Sequence, residues 1–114
     1  MTMSPKSFSI KNWSQDDQPR EKLRDKGPLS LSDSELIAIL IGSGWVQESA
    51  VDLSKRILAS VDHDLQNLGK LSTVHLMTFK GIGEAKAIKI AAAMELSRRR
   101  RKTDPKKLDK INTS

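Results

Sequence analysis

The sequence predicts an all-α fold, and three observations carry that prediction. Apolar residues recur at three- and four-residue spacing, and no stretch shows the strict alternation or strand-and-turn pattern of a half-buried sheet. Helix-starting serines, Ser32 and Ser72, stand directly in front of such segments. Four alanines between Ala87 and Ala93 give high helix propensity and allow a neighbouring helix to approach closely.

Taken in order, residues 1–17 are polar and unpatterned, with Phe8, Ile10 and Trp13 as scattered anchors, and read as a flexible N-terminal segment. Pro19 opens a short helix that runs to Lys26, since proline suits a first helical turn, and Gly27-Pro28 stops it. Ser32-Asp33-Ser34-Glu35 has the spacing of a capping box, and the run Leu36, Ile37, Ile39, Leu40, Ile41 follows. Such a run is also compatible with a buried strand; the capping box and Ala38 favour helix. Gly42-Ser43-Gly44 ends it. From Ser49, the positions Ala50, Leu53, Ile57 and Leu58 mark another helix, with Asp52, Lys55 and Arg56 on its other face. A short element spans about Leu65 to Leu68 and ends at Gly69. Ser72 caps a short helix carrying Val74, Leu76, Met77 and Phe79. A last helix runs from about Glu84 into the arginines, with Ala87, Ile88, Ile90, Ala91, Met94 and Leu96 inward.

The 114 residues suit one domain, and 37% hydrophobic with 30% charged residues is a soluble globular composition. No apolar stretch approaches the ~20 residues of a membrane span, and the first residues lack the apolar core of a secretory signal. With no cysteine there is no disulfide framework or thiolate metal site, and the cytoplasm is the expected compartment. The net charge of +6 is carried entirely by residues 97–114, which hold eight basic and two acidic residues; the remaining 96 residues hold twelve of each. The body, residues 18–101, is therefore close to neutral up to its terminal arginines, and residues 102–114 read as a basic linker or tail. DNA binding by the body has to rest on a local constellation rather than on overall charge.

That constellation is Leu76-x-x-Phe79-x-Gly81-Ile82-Gly83-x-x-x-Ala87-x-x-Ile90. Two helices joined by Gly-Ile-Gly turn sharply, and glycine accepts positive φ there without steric cost. Ile82 plugs the joint, and Ala87 stays small where the helices cross. The helix start beyond Gly83 offers free amides and partial positive charge to a phosphate oxygen, with Lys80, Lys86 and Lys89 around it. Contacts of this kind touch backbone and not base edges, so little sequence preference follows. The competing reading is that Gly-Ile-Gly simply closes a helix pair. Ile41-Gly42-Ser43-Gly44 forms a weak repeat of Lys80-Gly81-Ile82-Gly83, displaced by 39 residues. The expected architecture is thus a compact bundle built around two helix-hairpin-helix units, the second more regular than the first.

Gly42 and Gly44 are secondary phosphate candidates, with the structural reading favoured because Glu48 adds negative charge nearby and Trp45 reads as a clamp across the hairpin. Arg98, Arg99, Arg100 and Arg101 either bind phosphates or complement the dipole at a helix end. His63 and His75 read as surface or capping residues, and Asp16-Asp17 and Asp62-x-Asp64 as solvated turns. No Ser-His-Asp or Cys-His set, phosphate-binding loop or metal-ligand cluster occurs, so neither catalysis nor a cofactor or metal is expected of this chain.

Two blocks extend the reading. Pro19-Arg20-Glu21-Lys22-Leu23, Gly27-Pro28 and Leu31-Ser32-Asp33-x-Glu35-Leu36-Ile37-Ala38-Ile39-Leu40, followed later by Lys80-Gly81-Ile82-Gly83-x-Ala85-Lys86-Ala87 and Ala92-x-x-Glu95-Leu96-x-Arg98-Arg99, resemble the N-terminal region of the bacterial RadC family (UPF0758). The resemblance covers roughly Gln18 to Arg100. It implies a longer parent with a C-terminal zinc metallopeptidase-like domain of the JAB/MPN type, whose His-x-His metal motif is absent from this sequence. The family also carries a DNA-repair label. Gln47 stands where relatives often have glycine, which argues further against phosphate at the first hairpin. Duplex or branched DNA is the expected partner. The alternatives are a protein-interaction module, or a regulatory one serving the metallopeptidase-like domain.

Overall fold

A computed structural model describes the backbone of residues 5–103 and the side chains of residues 15–102. The side chains of Phe8, Ile10 and Trp13, and the basic residues beyond Thr103, lie outside the described residues. Among the described residues there are six helices and no strand: α1 Pro5–Lys26, α2 Asp33–Ile41, α3 Ala50–Ser60, α4 Leu65–Gly69, α5 Thr73–Leu76 and α6 Glu84–Thr103. A single 3-10 turn, Pro28–Ser30, joins α1 to α2. The all-α expectation holds.

The predicted helix starts lie where their chemistry puts them. Ser32 accepts from the Glu35 amide at 3.2 Å while the Glu35 carboxylate accepts from the Ser32 amide at 2.8 Å, the reciprocal box that fixes α2. Ser49, Asp64 and Ser72 cap α3, α4 and α5 by single bonds, their side chains accepting from the Asp52, Gln66 and His75 amides. Asp64 is thus a cap, and Asp62 and His63 close α3 in the left-handed conformation, with φ of 56° and 58°. Exposed His75 lies in the short α5.

The N-terminal segment differs from the expectation. Residues 5–17 are helical, and Pro19 lies inside α1 instead of opening a helix. The cause is its inward face. Asp16 is buried to 3% exposure and Pro19 is buried beside it, with Leu23 half-buried one turn on. Spacing of three and four residues puts these on one side of a helix, but one is charged and one is a proline, so no apolar stripe announces them.

The core is drawn from every other helix: Ile37, Ala38 and Ile41 from α2, Leu53, Ile57 and Leu58 from α3, Leu68, Leu76, and Ala87 with Ile90 from α6. Ile82 is 5% exposed and Ala87 fully buried, so the plug and the small crossing residue take the places their spacing predicts. Ile88 and Leu96 do not: at 52% and 68% exposure they project outward, because helical spacing from Ala87 and Ile90 turns positions 88 and 96 away from the core.

Candidate nucleic-acid interface

The two glycine hairpins are packed on each other. The first is a tight turn in which the Trp45 amide donates to the Glu48 carbonyl at 2.9 Å and the Glu48 amide to the Trp45 carbonyl at 3.1 Å. Gly44 must lack a side chain there, since a Cβ would lie 2.0 Å from the Glu48 carbonyl oxygen. The Trp45 indole N–H donates to Glu48 Oε1 at 2.7 Å, and its ring covers Gly81 of the second hairpin. A Cβ on Gly81 would meet Trp45 Cδ1 at 2.4 Å, and its φ is +94°. Gly81 therefore serves hairpin pairing, and Trp45 clamps its own hairpin through Glu48 while also covering the second.

Two polar side chains lock the pair, and a third ties the first hairpin to the start of α3. Arg56 donates to both oxygens of Glu48, at 2.7 and 3.0 Å, and to the Lys80 carbonyl at 2.7 Å, so one guanidinium spans both hairpins. The Arg56 guanidinium, helped by the Trp45 indole, holds the Glu48 carboxyl below the usual carboxylate range against the opposing effect of burial. Glu48 is thus ionised and paired with Arg56, so the negative charge expected near the first hairpin is compensated within the fold.

Lys86 is the second lock. Its ammonium donates to the Ser43, Gly44 and Gly81 carbonyls at 2.8, 3.3 and 3.2 Å. Burial pushes its pKa down, the Asp16 carboxylate opposes that, and Lys89 adds to it. Expected as a phosphate ligand, Lys86 instead satisfies inward-facing backbone oxygens.

The third side chain is Asp16. Its carboxylate accepts from the Gly44 amide at 2.9 Å and from the Ala50 amide at 2.6 Å, at the start of α3. The solvated-turn expectation for Asp16 is corrected: this carboxylate occupies the amides that the first hairpin would need for a phosphate. Arg20 occupies the Gly42 carbonyl at 2.9 Å and pairs with Asp17. Gly42 and Gly44 are accordingly engaged within the fold, as their structural reading has it.

What remains open to solvent is the tip of the second hairpin. Gly83 is exposed, with nothing within 4 Å of a Cβ built on it and no left-handed φ. Lys80 and Lys89 are exposed on either side. The first amides of α6 have no carbonyl four residues earlier within the helix to receive them, while Glu84 brings an acidic group into the same turn. The arginine run lies at the other end of α6, where Arg98 and Arg99 both bind Glu95 and hold its carboxyl down at about 2. Sequence reasoning missed Asp16, Arg20 and the bridging role of Arg56; each reaches at least one backbone group brought close only by the fold. Among the described residues no group of three or more His, Asp or Glu could hold a metal ion, and no helix is long and apolar enough to cross a membrane.

The profile of the UPF0758 N-terminal family matches residues 10–88. A UPF0758 protein of Flavobacterium johnsoniae is 59% identical over 112 residues, covering 98% of this chain and 48% of the relative. UPF0758 proteins of Porphyromonas gingivalis and Carboxydothermus hydrogenoformans are 46% and 47% identical, covering 81% and 79% of this chain and 41% and 39% of theirs. The chain thus spans half or less of the length of these relatives. No solved structure matches it.

Proposed function

The chain belongs to the UPF0758 N-terminal family, and from that premise we propose that it is a DNA-binding module that grips the phosphate backbone without regard to sequence, through the Gly81-Ile82-Gly83 hairpin. The observation that carries this reading is the bare, exposed Gly83 at the start of the 20-residue helix α6, with exposed Lys80 three positions before it and exposed Lys89 in the second turn of α6. A helix start offers amide donors and partial positive charge to an anion, and a position without a side chain admits a bulky sugar-phosphate. Lys86 and Arg56 contribute rigidity: they hold the hairpin in shape before DNA arrives, so little ordering cost falls on binding. Duplex or branched DNA presents the same phosphate chemistry, and both are within its reach. In a longer, cytoplasmic family member the module would bring the zinc-dependent metallopeptidase-like domain to DNA; zinc belongs to that domain.

Fluorescence anisotropy with labelled duplex, at low and moderate salt, tests the reading on three chains: the full chain, one ending at Leu96, and one carrying Gly83→Ala. Binding that persists without the arginines and falls severalfold with Gly83→Ala supports it. Binding that disappears with the arginines alone reduces the interaction to generic cationic attraction. The alternative, a module that binds protein or regulates the parent's metallopeptidase-like domain, is favoured by one separate feature, the groove between α4 and α6.

A further inference from the structure

Far from the hairpin, α6 lies against α4 and leaves a groove of about 350 Å³. Its floor is apolar: Leu68 and Ile90 are buried, and half-buried Leu71 and Met94 flank them. Leu65 stands at the mouth, 41% exposed. The rim is basic. Lys70, Arg98 and Arg101 line it against one acidic residue, Glu95, which is already bound by Arg98 and Arg99. Neither the Lys70 ammonium nor the Arg101 guanidinium has a side-chain partner among the described residues.

We propose that this groove is a docking site for an acidic amphipathic segment of a protein. Such a segment sets two apolar side chains against Leu65, Leu71 and Met94 and lays its carboxylates towards Lys70 and Arg101. The volume lies at the lower end of the range for ligand pockets, roughly 300–1,000 Å³, and suits a pair of side chains better than a whole cofactor. A helix one turn long presents such a pair at four-residue spacing. The floor selects against nucleic acid, because a phosphate backbone has no apolar group to fill it. The charge on the rim selects against basic segments. Met94 lies eleven positions after Gly83, about 16 Å of helix, so docking here stands independently of phosphate binding at the hairpin.

The test is a titration of the ¹⁵N-labelled 114-residue chain with a capped 14-residue peptide of glutamate and leucine, its leucines at four-residue spacing. Two control peptides replace every glutamate by lysine or every leucine by alanine. The expected result is saturable shifts confined to the amides of residues 65–71 and 90–101, with both controls at least tenfold weaker. Reversing charge with Lys70→Glu and Arg101→Glu is expected to weaken binding tenfold or more while the helical circular dichroism is kept. Absence of shifts up to millimolar peptide overturns the proposal. So does equal binding of either control peptide, or concentration-dependent shifts of the same amides without peptide, which would assign the groove to a second copy of the chain. The mapping on the unsubstituted chain stands even if the double variant fails to fold.

Discussion

The ammonium of Lys86 lies 2.8 Å from the carbonyl oxygen of Ser43, across 43 positions of sequence, and the same atom reaches Gly81 at 3.2 Å. One side chain on α6 thus joins the two loops directly, beside the bridges made by Trp45 and Arg56. Lysine at this position acts inside the protein, and its neighbours Lys80 and Lys89 face solvent.

Substitution should separate those roles. Lys86→Met removes the shared donor and should lower stability by about 1–3 kcal/mol, read by urea unfolding. Lys80→Ala and Lys89→Ala should leave the melting temperature unchanged, and each should reduce the slope of log K against log salt for duplex DNA by about 0.9. A salt slope unaltered by both lysine changes would argue against phosphate contact at the hairpin.

The two hairpin glycines should respond in opposite ways. At Gly81, alanine combines a left-handed backbone with a clash against Trp45, and should cost about 2–4 kcal/mol. At Gly83, open space and an ordinary φ should keep the effect of alanine within about 0.5 kcal/mol. Thermal melts followed by circular dichroism check both. Only the Gly83 variant reports on DNA contact without disturbing the fold.

Asp16→Ala should leave the Gly44 and Ala50 amides without their acceptor, at a cost of about 2–4 kcal/mol. Asp16→Asn keeps one acceptor oxygen and should lose less. Denaturant midpoints will rank the two; equal, negligible losses would mean that the Asp16 carboxylate contributes nothing to holding the first hairpin.

Acid should loosen the hairpin pair through Glu48. Its pKa in the folded chain is depressed, first by the Arg56 guanidinium, so it contributes stability above the unfolded value of about 4.3. That contribution is lost as pH falls through the lower folded value. The indole N–H resonance of Trp45, which marks the bond to Glu48, should move in that window, and Glu48→Gln should flatten the transition.

The helices were legible where the residues that make them also mark them. Ser32 with Glu35, the buried positions of α3, and the Ile82–Ala87 pair all follow from local spacing. The start of α1 was not legible, because its inward face is a carboxylate, a proline and a leucine rather than an apolar stripe. At the hairpins, spacing marked both turns but not the work of their parts. Lys86, Gly44 and Gly81 carry the residue types that phosphate binding wants, yet here they serve the join between hairpins. Only three-dimensional proximity distinguishes a lysine facing an anion from a lysine facing three carbonyls.

The continuity of α6 has a directional consequence. Gly83 precedes the helix and Arg98 sits near its far end, fifteen residues on, a span of about 22 Å. That exceeds the screening distance of about 10 Å at 0.1 M salt, so the two ends behave as separate electrostatic poles. A strand approached end-on by the first turn meets the helix as a rod pointing away from it, and the arginines are carried off that strand by the rod's length. Under the proposed function, a grip on one phosphate by the tip would leave the opposite pole to meet another anionic body at a fixed standoff.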